Sequence, residues 1–511
     1  MMTQPDPGSW RLAAPHAARA QGLIVSPFAH LPEAVALLLD TTGAPGRAWL
    51  RALLQGENAL TITAATGKAV DDDGTASACA SLAFTATGLQ QLGLDPLVMQ
   101  SFAEPFLEGM HEPHRRRRLG DIYMDPPARL KRPLWGGNMP LPPGTAPDID
   151  AIVCDKTVHA ALLLYDLDAD QLAATAAPVR AKLAASGVVI AHELALSLRF
   201  DDSTPPIARE NFGFADGISQ PSPAGSGIVD KTGAPYPKDP VHGVAGGDLV
   251  IGLPDPYGEP SPGPLVPVTA PDAAMLDIAA GDPAHRDLGI DGSYLVIREL
   301  SQDVDAFWAS MQKAGASVGQ DADWVAERVV GRTRDGVILA TNPPPPTADG
   351  PGNDFLFFDA DAASGIARCP IGSHVRRANP RDGLAPTASD KQTLLNAANN
   401  HRIMRRGRKY AAYDIPDAPA LPGLLFMCLN TDIKRQFEFV QQTWMLNSSF
   451  AALIGEQDPL LGPQGPFTIP EDPLRLRPTI DTFIRLIGGE YFFLPSLPAL
   501  AYFCGLAGQA P

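Results

Sequence analysis

Three short stretches hold the residues best suited to chemistry. The first, "NFGFADGISQP" from Asn211 to Pro221, sets one carboxylate, Asp216, between glycines and aromatics in an otherwise apolar turn. A carboxylate in that position can accept a proton from a small reactant and return it. Gly213 and Gly217 let the backbone approach a ligand closely, and Phe214 with Ile218 keep the surroundings dry. The second, "ARCPIGSHVRRANPRD" from Ala367 to Asp382, sets His374 ahead of Arg376, Arg377 and Arg381. Positive neighbours disfavour an imidazolium, and a neutral imidazole is a metal ligand. From the residues alone, a capping histidine beside a solvated basic face is the alternative. The third, "HRIMRRGRKY" from His401 to Tyr410, crowds Arg405, Arg406 and Arg408 around a glycine. By itself it reads equally well as an exposed helix end, where cations are favoured.

Other chemistries lack their residues. There is no HExxH and no GxSxG elbow, since "GASVG" at Gly315 to Gly319 ends a helical run and does not follow a strand, and "GFADG" has none of the phosphate-facing glycines of a dinucleotide loop. His111 and His114 precede the run Arg115 to Arg118, which repels a cation. The five cysteines, Cys79, Cys154, Cys369, Cys428 and Cys504, are scattered without a CxxC pair, as free thiols of a reducing compartment would be.

Taken in order, the three stretches resemble the dye-decolourising peroxidase family. Its GxxDG motif stands as Gly213 to Gly217, its histidine motif as "HVRRANPR" from His374, and its arginine segment as "RIMRRG". "FLEGMHEPHRRRRLGD", "GSYLVIRELSQDVDAFW" and "LNTDIKRQFEFVQQTW" are similar to stretches found across the family, so the likeness covers about residues 20 to 505. The resemblance implies one haem b per chain, bound without covalent attachment, with His374 as the proximal iron ligand. It implies Asp216 as proton shuttle over the iron, and Arg405 as the cation that stabilises charge on the departing oxygen, Arg406 being the alternative one register away. Hydrogen peroxide and small aromatic reductants, dyes included, are the implied partners. A haem-handling protein using the same pocket without turnover is the competing reading.

Around that core, Phe214, Gly217 and Ile218 are expected against the cofactor. Arg376 and Arg377 are candidates for its propionates, one of the two pointing away. Asp458 in "GEQDPLLG" is the first candidate to accept a hydrogen bond from the second nitrogen of His374, ahead of Glu456, Glu438 and Asp432. Cys369 is read as buried packing rather than a thiolate ligand. Trp444, Tyr410 and Tyr502 are possible electron relays by composition, with core packing as the alternative.

The elements that must position these residues follow from length and pattern. A chain of 511 residues exceeds what one core usually supports, so two domains are expected. "HAALLLYDLDADQLAATAAPVRAKLAASG" reads as a strand from Ala160, a cap at Asp168 and a helix stopping at Gly187. "GSYLVIRELSQDVDAFWASMQKAG" repeats that order, with a strand over Tyr294 to Ile297, a cap at Ser301 and a stop near Gly315. The Pro- and Gly-rich span from Ser219 to Gly247 reads as the connection between halves. This gives an N-terminal extension over 1–20, a domain over 21–240 carrying Asp216, and a domain over 241–511 carrying His374. "ALTITAA", "DLVIGL" and "DFLFFDA" read as strands, while "LWGGNMPLPPGTAP" and "NPPPPTADGPGND" read as loops. The class is α+β with helices on one face of each sheet; the resemblance makes it two ferredoxin-like domains.

The formal charge of −17 argues against nucleic acid and anionic lipid as partners. No run of 18 apolar residues occurs, and the first 25 residues show no export signal and no twin arginine, which predicts a cytoplasmic protein, monomeric or homodimeric.

Overall fold

The computed structural model describes residues 10–66, 78–121, 133–137, 154–203, 206–340, 353–415, 419–472 and 474–505. Four strands build the first sheet: β1 (Glu33–Asp40), β2 (Cys79–Phe84), β3 (Ala160–Asp166) and β4 (Val189–Ser197), all antiparallel in the order β4-β1-β3-β2. Helix α1 (Ala48–Leu54) joins β1 toward β2, and α2 (Ala169–Ala185) joins β3 to β4.

The second half repeats the plan. Strands β5 (Ser293–Gln302), β6 (Met404–Arg405), β7 (Arg408–Tyr410), β8 (Gly423–Asn430) and β9 (Ile484–Leu494) pair as β9-β5-β8-β7, with β6 beside β8 just ahead of β7. Helices α3 (Val304–Val318) and α4 (Ala322–Val330) follow β5, and two π-helical turns, Lys434–Glu438 and Val440–Met445, follow β8. Each half is therefore a ferredoxin-like α+β unit. The two sheets close on one another, because Tyr410 pairs with Leu196 and Phe493 with Phe84.

Alternation along the strands fills both faces. Ala34, Ala36 and Leu38 face one core cluster, shared with Leu295, Ile297 and Phe492 inside the ring, while Val35, Leu37 and Leu39 face another under α1 and α2. On β5 the same alternation sends Glu299 inward, where Trp135 Nε1 donates to its carboxylate at 2.6 Å. It turns Arg298, Leu300 and Gln302 outward to a cavity.

The first strand–cap–helix unit is as read: Asp168 accepts from Gln171 N at 2.8 Å, and Gly187 ends the unit at φ +78°. The second is shifted. Ser301 is still in the ladder opposite Gly423, and the cap is Asp303, which accepts from Ala306 N at 2.9 Å. Gly315 lies inside α3, where an added Cβ would meet Gln320 O at 2.6 Å; this glycine permits the close approach that starts α4, and the helix ends at Gly319 instead.

The three extra strand readings fail. "DLVIGL" begins in a 3-10 turn, Gly246–Asp248, held by Arg435 on Asp248. "DFLFFDA" opens helix α5 (Phe357–Ser364), because Asp382 Oδ1 takes the first free N–H groups, those of Phe357 and Phe358. "ALTITAA" keeps one isolated bridge, Gln21 with Ala64. Of the two expected loops, 138–147 and 341–352 lie outside the described residues, and Trp135 in the first pairs with Gly488. Among the described residues no helix is long and apolar enough to cross a membrane.

Candidate active site

The cavity lies on the outer face of β5 and β8, where the connection between the halves and the segments after α4 cover the sheet. Helix α6 (His374–Ala378) presents His374, Val375 and Ala378 to it. Leu300, Phe426, Leu461 and Ile484 supply apolar wall.

His374 is anchored from behind. Its Nδ1 lies 3.0 Å from Asp458 Oδ2 and 3.2 Å from Oδ1. Asp458 is fully buried and its Oδ1 also accepts from Leu460 N and Leu461 N, each at 2.9 Å. Burial raises its pKa, but the imidazole, the Leu461 N–H and the charge of Arg377 outweigh it and hold the carboxyl below its usual range. With Nδ1 engaged, the ring offers Nε2 as the ligating atom. The other acids considered for this contact serve elsewhere: Glu456 accepts from Thr468 N, Glu438 pairs with Arg115 and accepts from Tyr491 OH, and Asp432 accepts from Arg435 N.

Asp216 and Arg405 meet in the same cavity, with Arg405 Nη1 3.7 Å from Asp216 Oδ1. The turn bearing Asp216 is set by backbone contacts: Asp216 N donates to Ala208 O at 2.8 Å and Ala215 N to Arg334 O at 2.8 Å. Gly217 has φ +79° and donates its N–H to Asp216 Oδ1 at 2.6 Å, while an added Cβ there would meet nothing. Its glycine answers to backbone conformation rather than to crowding. Arg405 lies on β6, backbone-paired with Cys428 and with Gln220 Oε1, and its guanidinium donates to Ile218 O. Phe214 and Ile218 line the cavity as expected. So does Glu210, which accepts from Phe212 N and Phe214 N at 2.9 Å each; burial pushes its carboxyl up.

Neither arginine expected at the propionates lines the cavity. Arg376 pairs with Asp361 at 2.5 Å and lies over Phe357; Arg377 donates to the carbonyls of Trp444, Met445, Asn447 and Glu456. On a helix successive residues turn by about 100°, so with positions 374, 375 and 378 facing the cavity, 376 and 377 face the interior behind it. Arg406 is likewise spent on Leu23 O and Ile24 O. Cys369 is buried against Gly331 O and Ser373, outside the cavity lining. Trp444, Tyr410 and Tyr502 are 6%, 3% and 4% exposed, which is core packing.

Other arginines line the cavity instead: Arg332, Arg381 and Arg402. Arg402 Nη2 donates to Ser219 O at 2.7 Å, and its Nη1 has no hydrogen-bond partner. Burial, then Arg405, brings Arg402 down to about 10; burial, then Arg402 and Arg332, pushes Arg381 well below its ordinary value. Three buried guanidiniums, each disfavoured by burial and by a neighbouring arginine, call for an anionic group. Arg381 closes the quoted "HVRRANPR" and Arg402 opens "RIMRRG", so two of the three stand in the motifs, whereas Arg332 lies in none.

Known proteins of similar sequence and structure are peroxidases. The chain is 31% identical over 369 residues to the multifunctional dye peroxidase of an Amycolatopsis species, covering 68% of this chain and 71% of that one. It is 28% identical over 395 residues to a dye-decolourising peroxidase of Mycetinis scorodonius, covering 70% and 68%. Among solved structures, a DyP-type peroxidase of an Anabaena species superposes with a TM-score of 0.68 at 22% identity, over 96% of this chain and 94% of that one. A dye-decolourising peroxidase in complex with 2,6-dimethoxyphenol gives 0.67 at 23%, over 96% and 99%. No family model matches.

The chain is thus a peroxidase, an oxidoreductase of the α+β kind. It belongs to the dye-decolourising peroxidase family. Members of that family depend on haem, and the cavity suits such a group, with apolar walls for a flat ring, buried cations for its carboxylates and an imidazole fixed by a carboxylate.

Proposed function

We propose that the cavity holds one haem b without covalent attachment, ligated through Nε2 of His374, and that peroxide reacts beside Asp216 and Arg405. The observation that carries this reading is the convergence of the His374–Asp458 and Asp216–Arg405 pairs, from four distant stretches of chain, on a single cavity. Arg332, Arg381 and Arg402 would hold the propionates. Bound there, haem supplies the redox centre that accepts oxidising equivalents from peroxide and releases them one electron at a time.

The chain's own groups do the rest. Asp458 keeps the Nδ1 proton of His374 directed toward itself, which gives the ligating nitrogen imidazolate character. Asp216 takes a proton from one peroxide oxygen and delivers it to the other. Arg405 stabilises the negative charge that gathers on the departing oxygen. Phe214, Ile218 and Phe426 exclude water from that exchange.

Phenols and dye-type aromatics are the proposed reductants; a phenolic complex is known for a structural neighbour, and dye oxidation is in the names of the relatives. The proposed division of the chain, at residue 240, falls in the connection between β4 and β5. A cytoplasmic location belongs to the same proposal. The test is an absorption spectrum of the protein reconstituted with haemin, with and without stoichiometric peroxide, beside His374→Ala. A haem band altered by the substitution, and changed within seconds by peroxide in the unsubstituted protein, is expected. A stable band that ignores peroxide would favour a haem-handling role.

A further inference from the structure

Two polar side chains of the cavity, Glu210 and Gln302, face each other at the foot of the turn that bears Asp216. Glu210 accepts three N–H groups: Phe214 N on Oε1 at 2.9 Å, and on Oε2 both Phe212 N at 2.9 Å and Gln302 Nε2 at 3.0 Å. An ionised carboxylate only accepts, so this contact turns the nitrogen of the buried Gln302 amide toward Glu210 and its oxygen the other way. There Gln302 Oε1 accepts from Asn211 Nδ2 at 2.9 Å, and Asn211 Nδ2 also donates to Gly423 O at 3.0 Å.

Gln302 ends β5 and Gly423 begins β8, so these bonds clamp the Asp216 turn to the sheet. The strand that carries Arg405, β6, pairs with the same sheet through Cys428 on β8. Beyond Asp216 the turn is tied a second time, where Arg405 donates to Ile218 O and the Gln220 amide brackets the Arg405 backbone. Asp216 therefore stands between two attachments to the sheet that bears its partner cation, and the 3.7 Å between Asp216 and Arg405 depends on both. Apolar packing is a separate anchor: Phe212 stacks on Phe307 at 4.3 Å and 16°, with Phe483 edge-on to both rings. Apolar contacts are non-directional, so they hold the segment down without fixing the height of Asp216; hydrogen bonds do that.

We propose that Glu210 and Gln302 are positioning residues for the peroxide reaction, a clamp that sets the distance from Asp216 to Arg405. This deepens the peroxidase reading of the cavity and rests on it. Neither residue exchanges a proton with peroxide. Opening the clamp lets Asp216 drift, and a misplacement of ~1 Å costs on the order of 10²-fold in rate. The charged groups around the clamp are Asp216 on the same turn, Arg298 on β5, Arg332 beyond α4 and Arg405 on β6.

Gln302→Leu removes both bonds of the amide and is expected to slow the peroxide reaction at least tenfold in stopped flow, with the haem affinity of the unsubstituted protein. A rate within threefold would overturn the clamp. Gln302→Glu tests the contact itself: shape and the acceptor for Asn211 are kept, but a second carboxyl now faces Glu210, and the two meet only while they share a proton. In the cofactor-free protein, urea titrations of Gln302→Glu are expected to show stability falling as pH rises from 5 to 9, more steeply than in the unsubstituted protein. The folded pair keeps a proton that the unfolded carboxyls have already released, which gives the decline its sign. Parallel curves would show that the two side chains do not meet, and would overturn the clamp. With haem bound, the peroxide rate of Gln302→Glu relative to the unsubstituted protein is expected to fall at least tenfold over the same range. A constant ratio would show that the contact does not position Asp216. Failure of the unsubstituted protein to react with peroxide would instead sink the cavity reading on which the proposal rests.

Discussion

His374 Nδ1 lies 3.0 Å from Asp458 Oδ2, a contact that joins residues 84 apart in sequence. Because Asp458 is fully buried and also accepts two backbone N–H groups, this contact fixes both the tautomer and the orientation of the imidazole. Asp458→Asn keeps the shape and removes the charge. It is expected to slow the reaction with peroxide by roughly 10- to 100-fold, the usual cost of losing a partner behind a metal ligand. Stopped-flow absorbance measures it, and a rate within twofold of the unsubstituted protein would deny Asp458 this role.

Asp216 and Arg405 are expected to act on peroxide and not on cofactor binding. Asp216→Asn should lower the peroxide reaction by ~10²- to 10⁴-fold, as loss of a positioned acid–base does. Arg405→Leu should lower it by ~10²- to 10³-fold, as loss of an electrostatic stabiliser does. Haem titration of both variants should match the unsubstituted protein; loss of haem binding would place them in the cofactor's support instead.

Arginines inside and behind the cavity should behave in opposite ways. Arg402 has an unpartnered Nη1, so Arg402→Ala is expected to weaken haem binding by ~1.5–3 kcal/mol, the size of a charge-assisted hydrogen bond, without destabilising the cofactor-free protein. Arg377 satisfies four carbonyls and lies over Phe450, so Arg377→Ala should lower the stability of the cofactor-free protein by ~2 kcal/mol or more. Haem titration and urea unfolding separate the two, and an exchange of phenotypes would contradict the assignment.

His242 gives a pH signature. Burial first, then the charges of Arg381 and Arg402, hold its imidazole down at about 3, against 6.5 for the exposed group. Above pH 6.5 both folded and unfolded chains carry it neutral, so it costs nothing there. As pH falls from 6.5 to 3 the unfolded chain binds the proton and the folded one does not, so stability falls through that window. In the cofactor-free protein, His242→Phe should flatten the decline of unfolding free energy between pH 6 and 4 by up to ~1.4 kcal/mol per pH unit. Parallel declines in urea titrations would show that the ring is already protonated when folded.

Local signals carried much of the architecture. The cap at Asp168 and the stop at Gly187 were legible because a capping carboxylate and a left-handed glycine act on their own neighbours. Ser301 misled because a serine beside a strand end looks like a cap until the ladder partner, Gly423, is known to extend the strand past it. "DFLFFDA" misled because its helix starts on Asp382, a cap supplied from 25 residues downstream.

The sequence by itself determined the peroxidase family and named Asp216, His374, Arg405 and Asp458 as the residues to find together, because each motif keeps its residue types in a short run. Only the tertiary structure decided which arginines enter the cavity. Helical turn sends Arg376 and Arg377 into the interior, while Arg332, Arg381 and Arg402 arrive from three separate segments. Which side chains share a cavity depends on how distant segments pack over β5 and β8, and no property of a local stretch encodes that. Phe212 and Phe307 stack for the same reason, only once the connection between the halves folds back over α3.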